Sequence, residues 1–148
     1  MNIKQLKEMG VDISSNYLKF LKMTESQKIE VVKQYGDSIQ WILNPTEKIQ
    51  LTAVKKDGYS IQYLHNPTEK IQLEAVKQNG YSIQWIHNPT EKIQLEAVKQ
   101  NGYSIRFIQN PSEKVQIAAI KQNGNSIKYF KSKWINFGFV ITTKEEKL

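Results

Sequence analysis

Asn66–His87 reads NPTEKIQLEAVKQNGYSIQWIH, and Asn88–Gln109, directly after it, reads NPTEKIQLEAVKQNGYSIRFIQ. Two more copies flank this pair, Asn44–His65 (NPTEKIQLTAVKKDGYSIQYLH) and Asn110–Lys131 (NPSEKVQIAAIKQNGNSIKYFK). A fifth, degenerate unit at Lys22–Leu43 keeps Gly36, Ser38, Ile39, Gln40 and Trp41 in register. Gly36, Gly58, Gly80, Gly102 and Gly124 are therefore spaced 22 residues apart, and so are all the prolines, Pro45, Pro67, Pro89 and Pro111. Glycine and proline punctuate secondary structure more strongly than any other residues, so a shared period in both makes the chain an array of short repeats.

Each unit reads as two helices. In the Asn66 copy, Asn66 is a good N-cap, Pro67 suits the first helical position, and Glu69 is placed to complete a capping box. In the degenerate unit Thr24 and Gln27 supply another capping-box pair. Asn79-Gly80 ends the first helix, with glycine expected in the left-handed conformation of a C-cap. A second helix then runs from Tyr81 to about Ile86 and stops before the next Asn-Pro. So short a helix lies far below the roughly 12–15 residues needed for marginal stability in water, and it must be held by a neighbouring unit. That dependence defines a solenoid, whose core runs along the stack.

At about 100° per residue, Ile71, Leu73, Ala75 and Val76 spread over an arc of about 200°, wide enough to pack both up and down the stack. Lys70, Glu74 and Lys77 fall on the solvent side, where Lys70–Glu74 and Lys92–Glu96 can pair within their helices. On the second helix Ile83 and Ile86 form one stripe, Tyr81 and Trp85 another. The predicted fold is all-α, a right-handed α-solenoid of about five two-helix repeats. Residues 22–43, 44–65, 66–87, 88–109 and 110–131 are the units. Residues 1–21 form an N-terminal helical cap, with a helix at Ile3–Met9 and an amphipathic stretch holding Tyr17, Leu18, Phe20 and Leu21. Residues 132–148 form a C-terminal cap or tail, in which Trp134–Ile141 suggests a strand or extended segment.

The composition fits a folded soluble protein, with 39% hydrophobic and 24% charged residues. The absence of cysteine excludes disulfides, thiolate metal sites and a cysteine nucleophile. The N-terminal residues lack a signal-peptide apolar run, and no apolar run is long enough to span a bilayer, so a cytoplasmic protein is expected. The net charge is +7, of which residues 110–131 carry +3. Such an excess suits an acidic protein partner, a nucleic acid or plain solubility.

The string running from Asn66 through Ile86 resembles a catalogued family of short helical repeats that has no assigned function and occurs in bacteria, phages and large viruses. The resemblance covers residues 22–131, on the cap, the Gln, the Ala-Val-Lys-Gln core and the Gly in one spacing. It implies a short α-solenoid of phage or mobile-element origin, and it implies no activity, cofactor or functional residue.

In a solenoid, equivalent residues align, so function is sought in columns. Trp41, Tyr63, Trp85, Phe107 and Tyr129 are read as rings filling the seam between short helices, in preference to a stacking platform for nucleic-acid bases. The companion column Asp37, Tyr59, Tyr81, Tyr103 and Asn125 turns polar at both ends, as a partly exposed column would. Gln40, Gln62, Gln84, Arg106 and Lys128 form an exposed column that grows basic towards Lys131 and Lys133. This column, with Tyr59, Tyr81 and Tyr103, is the candidate partner-binding surface, able to meet phosphates or carboxylates. Gln50, Gln72, Gln94 and Gln116 fall in the apolar arc, so their amides are expected to bridge repeats or to bond loop backbone. His65 and His87 share a column with Leu43, Gln109 and Lys131, which offers too few ligands for a metal. Ser60, Ser82 and Ser104 recur without a distinct base beside any of them, and no phosphate loop or zinc motif is present.

No enzyme and no cofactor are expected. The expected function is a non-enzymatic protein-binding scaffold, in specific form a phage or mobile-element protein inhibiting a host defence complex that targets nucleic acid. The partner would carry an acidic or nucleic-acid-binding surface, with no membrane involved. The alternative is binding of single-stranded nucleic acid through the aromatic and basic columns.

Overall fold

The structure, a computed structural model, describes residues 15–130. The predicted helix at Ile3–Met9, the segment Trp134–Ile141 and the basic residues Lys131 and Lys133 lie outside the described residues. Helix α1 (Ser15–Leu21) precedes five copies of a two-part unit. Each copy is a ten-residue α-helix followed by a six-residue 3-10 helix. The pairs are α2 (Glu25–Gln34) with η1 (Gly36–Trp41), α3 (Glu47–Lys56) with η2 (Gly58–Tyr63), and α4 (Glu69–Gln78) with η3 (Gly80–Trp85). They continue with α5 (Glu91–Gln100) and η4 (Gly102–Phe107), then α6 (Glu113–Gln122) and η5 (Gly124–Tyr129). Consecutive α-helices pack on one another, consecutive 3-10 helices do the same, and η1 to η4 each also touch the α-helix of the next unit. The described residues form an all-α solenoid with one layer of α-helices and one of 3-10 helices.

The helix ends differ from the sequence reading. Asn66 is not the N-cap; Thr68 is, in extended backbone at φ −62° and ψ 158°. At the equivalent places Thr46, Thr90 and Ser112 accept the N–H of Ile49, Ile93 and Val115 at 3.4 Å. The capping box expected at Thr24 and Gln27 is formed in full. Asn44, Asn66, Asn88 and Asn110 instead turn the chain in the left-handed region, at φ 49°, 49°, 48° and 52°. Asparagine tolerates this region better than most residues because its short amide can bond locally.

Glycine takes no left-handed conformation in any repeat. Helix α4 ends on Asn79 in extended backbone, at φ −149° and ψ 112°. Asn79 then starts η3: its Oδ1 accepts the N–H of Tyr81 at 3.0 Å and its carbonyl accepts that of Ser82 at 2.9 Å. Glycine is needed because the next unit comes too close. A Cβ on Gly80 would lie 2.5 Å from the carbonyl oxygen of Ala97 and 2.7 Å from Ser104 Oγ. The same contact recurs at Gly58 and Gly102, so the glycine period records where units touch.

Glutamine binds the units together at that contact. Gln78, Gln100 and Gln122 each accept, through Oε1, the N–H of Gly58, Gly80 and Gly102 of the preceding unit, at 2.7, 2.7 and 2.6 Å. The Gln72 column does the other job foreseen for it: the Nε2 groups of Gln50, Gln72, Gln94 and Gln116 donate to the carbonyls of Pro45, Pro67, Pro89 and Pro111 at 2.8–3.0 Å. At the first junction Lys56 stands where the later units have glutamine, and its ammonium cannot accept from Gly36. Lys56→Gln is therefore expected to gain about 0.5–1.5 kcal/mol, the net value of one such bond. Urea denaturation measures it, and an unchanged midpoint would count against this role for glutamine.

The core follows the predicted arc. Ile71, Ala75 and Val76 are buried with their counterparts Ile49, Ala53, Val54, Ile93, Ala97 and Val98, while Leu51, Leu73 and Leu95 are half-buried. Ile39, Ile61, Ile83 and Ile105 seal the 3-10 side. Tyr17 and Phe20 of α1 are buried, as a cap requires, but Leu18 and Leu21 face solvent. The expected pairs Lys70–Glu74 and Lys92–Glu96 are replaced by bridges between units, Lys70–Glu47 at 3.1 Å and Lys92–Glu69 at 3.4 Å. Both bridges are exposed and contribute about 0–1 kcal/mol each.

Candidate functional site

Three residues per turn in a 3-10 helix eclipse side chains at i and i+3. In η3 this aligns Gly80 with Ile83, Tyr81 with Gln84, and Ser82 with Trp85. The α-helical stripe of Tyr81 with Trp85 is thereby corrected, and the tyrosine and Gln/Arg/Lys columns become one row. Gln40, Gln62, Gln84, Arg106 and Lys128 are all exposed, as expected, and Tyr59, Tyr81 and Tyr103 are half-buried beside them. Asp37 and Asn125, which end the tyrosine column, are exposed too.

Arg106 and Lys128 lean back over the preceding unit. The Arg106 guanidinium carbon lies 5.2 Å from the ring centre of Tyr81 and 4.4 Å from that of Phe107. Lys128 Nζ lies 5.1 Å from the rings of both Tyr103 and Tyr129. The rings themselves meet edge to face, Tyr81 with Phe107 at 5.8 Å and Tyr103 with Tyr129 at 5.6 Å. Each assembly thus spans two units, with a cation held over two rings by attraction to their electron-rich faces. The glutamines of the earlier units have no such charge: Gln84 and Gln40 donate from Nε2 to the carbonyls of Tyr81 and Asp37 in their own helices.

The aromatic column divides. Trp41, Phe107 and Tyr129 are half-buried and fill the seam, as expected, but Tyr63 is 41% and Trp85 50% exposed. The exposed part of this surface therefore comprises Tyr63, Gln62, Gln84 and Trp85, with Arg106 and Lys128 at its basic end. Two clefts of about 420 and 410 Å3 open at equivalent places two repeats apart. The first is lined by Gln84, His87, Phe107 and Gln109, the second by Gln40, Tyr63 and His65.

His65 and His87 are exposed on these clefts. Among the described residues no three histidines, cysteines or carboxylates converge as a metal site would require. Ser60, Ser82, Ser104 and Ser126 are fully buried, and among the described residues their hydroxyls have no hydrogen-bond partner. They pack against the glycine of the preceding unit, where the small hydroxymethyl group fills the gap a larger side chain would close. Among the described residues, no helix is long and apolar enough to cross a membrane.

Pairing of the cations with rings of the preceding unit escaped the sequence reading, which treated the columns separately. The signal was present, since Arg106 and Lys128 replace glutamine immediately before the aromatic residues Phe107 and Tyr129.

A family model described as Domain of unknown function (DUF4116) matches residues 46–90. The matched stretch runs from the N-cap of α3 to that of α5, two consecutive units of the array. The chain is similar there to an uncharacterised family. No curated protein and no solved structure matches the chain.

Proposed function

We propose that the chain is a non-enzymatic protein-binding scaffold whose 3-10 layer docks a partner through acidic groups. The observation that carries this reading is the position of Arg106 and Lys128, exposed yet held over paired rings of two units. A cation fixed in this way keeps its outward N–H donors for a carboxylate and loses less side-chain freedom on binding. The partner is a protein with an acidic, nucleic-acid-like surface. In its specific form the proposal is a phage or mobile-element protein that occupies the nucleic-acid site of a host defence complex. That specific form rests on the resemblance of the repeats alone.

Direct binding of single-stranded nucleic acid is favoured by one observation, the exposure of Trp85 and Tyr63 on the same layer. Against it, the faces of Tyr81, Phe107, Tyr103 and Tyr129 towards the cations are already covered, which removes stacking area at the basic end. An affinity capture with and without nuclease, followed by mass spectrometry, separates the two readings. A partner retained after nuclease supports the scaffold. The double variant Arg106→Glu/Lys128→Glu is then expected to weaken that partner by about tenfold or more, since like charges are brought together across the contact. Unchanged affinity would remove this surface from consideration. Tight binding of a labelled oligonucleotide, falling by about a thousandfold between low and moderate salt, would favour the second reading.

A further inference from the structure

Between α5 and α6, on the α layer, lies a cleft of about 500 Å3 whose lining, among the described residues, comes from these two helices. Leu95, Ile117 and Ala118 form its apolar floor, while exposed Lys99, Lys114 and Lys121 rim it and Glu113 is, among the described residues, its sole carboxylate. The grooves between α3 and α4 and between α4 and α5 carry the same columns with two differences.

The place of Ala118 is held by Glu30 in α2, Glu74 in α4 and Glu96 in α5. Glu30 and Glu74 pair with the lysine three residues on, Lys33 at 2.6 Å and Lys77 at 3.3 Å. In α6 the carboxylate is replaced by a methyl group, so Lys121 loses that partner and the groove opens. The second difference concerns Lys114. Its counterparts Lys70 and Lys92 pair with Glu47 and Glu69 of the preceding unit. The equivalent acid, Glu91, is instead engaged by the hydroxyl of Ser112. Lys99, Lys114 and Lys121 form no ion pair with any described residue.

Three ammonium groups that form no ion pair among the described residues, around an apolar floor, select for a ligand that is both acidic and apolar. We propose that this cleft docks an acidic amphipathic helix of a partner protein, with its apolar side chains on Leu95, Ile117 and Ala118 and its carboxylates towards the three lysines. A helix laid in a groove presents apolar side chains at i, i+3 and i+4, a spacing that suits a floor made by two parallel rows. An inorganic anion would leave the floor uncovered, and an uncharged apolar peptide would leave the lysines unmatched.

The test uses the full chain and a fluorescein-labelled helical peptide of glutamate and leucine, with leucines at that spacing, read by anisotropy. A lysine/leucine peptide and a glutamate polymer without leucine are the controls. The glutamate/leucine peptide is expected to bind at least about tenfold more tightly than either control, and Ala118→Glu to weaken it by about tenfold. Ala118→Glu restores the residue that other units carry, so its thermal melt is expected to match the parent. Lys121→Glu provides a second variant with the same expectation. Absent binding, equal affinity for the glutamate polymer, or binding unmoved by either variant would overturn the proposal. Tighter binding to vesicles of anionic lipid than to the peptide would overturn it as well. Arg106→Glu/Lys128→Glu is expected to leave the peptide affinity unchanged. If that variant abolishes binding while Ala118→Glu does not, the peptide sits on the 3-10 layer, and only the cleft proposal falls.

Discussion

Gly80→Ala is expected to destabilise the array by about 2–4 kcal/mol, although a glycine-to-alanine change in open backbone normally stabilises a protein by about 0.4–1 kcal/mol. The added Cβ would stand 2.5 Å from the Ala97 carbonyl oxygen and 2.8 Å from Gln100 Oε1. The carbonyl already accepts the N–H of Asn101 at 2.9 Å within its helix end and cannot turn aside, so the units must separate. Separation lengthens the 2.7 Å bond from the Gly80 N–H to Gln100 and loosens Ala97, which is fully buried. Overpacking of this kind costs about 1–3 kcal/mol, and the weakened bond adds about 0.5–1.5 kcal/mol. Gly124 supplies the control, because among the described residues nothing lies within 4 Å of a Cβ built there. Gly124→Ala is expected to change stability by no more than about 0.5 kcal/mol. Chemical denaturation of both variants decides between two explanations of the glycine period. A left-handed C-cap would penalise both positions alike, whereas a contact between units penalises Gly80 alone. Equal losses would refute the contact explanation.

That comparison also marks the limit of what the residues disclose by themselves. The period, the number of units, the first-helix arc around Ile71 and the solvent-facing row of Gln84, Arg106 and Lys128 were all legible, since each follows from spacing within one unit. The assignment of the N-cap to Asn66 failed by two residues. Asn-Pro-Thr offers two capping side chains, and the choice between them depends on how the chain crosses from one unit to the next. The left-handed residue was misplaced for the same reason: glycine is the usual occupant, but here asparagine turns and glycine yields space. Whether glycine serves φ or proximity cannot be read from one unit, because the atom it avoids lies about a repeat further on. The second helix was read with α-helical angles, which set Tyr81 beside Trp85 and hid its alignment with Gln84. Six residues are too few for hydrophobic periodicity to separate 3.0 from 3.6 residues per turn. The site was legible as a list of exposed cations and rings. Its construction, a cation over two rings of different units, was not, because it depends on stacking geometry.

Ile83→Ala is expected to cost about 2–5 kcal/mol, and in this architecture the loss should appear as broken cooperativity as well as a lower midpoint. Ile83 is 1% exposed in the middle unit and belongs to the continuous core that joins α3 to α6. In an array where units touch only their neighbours, stability is the sum of unit and interface terms. A lesion at the centre therefore weakens the coupling of both halves. Ile39 is also 1% exposed and removes the same atoms on truncation, but it lies in the first unit, within the cluster formed with Phe20 and Ile29. The two variants should lose similar free energy locally and differ in where the loss spreads. Amide hydrogen exchange reads this directly. Ile39→Ala should lower protection in α2 and η1 and leave α5 and α6 close to the parent, while Ile83→Ala should lower it on both sides of η3. A shallower denaturation slope is expected for Ile83→Ala, since partly folded arrays become populated and less surface is exposed in each step. If instead both variants lower protection evenly from α2 to α6, the array folds as one cooperative block. The interfaces bridged by Gln78, Gln100 and Gln122 would then be strong relative to the units they join. The short 3-10 helices would be stable only as parts of that whole, and any partner that grips one end of the 3-10 layer would stiffen the other.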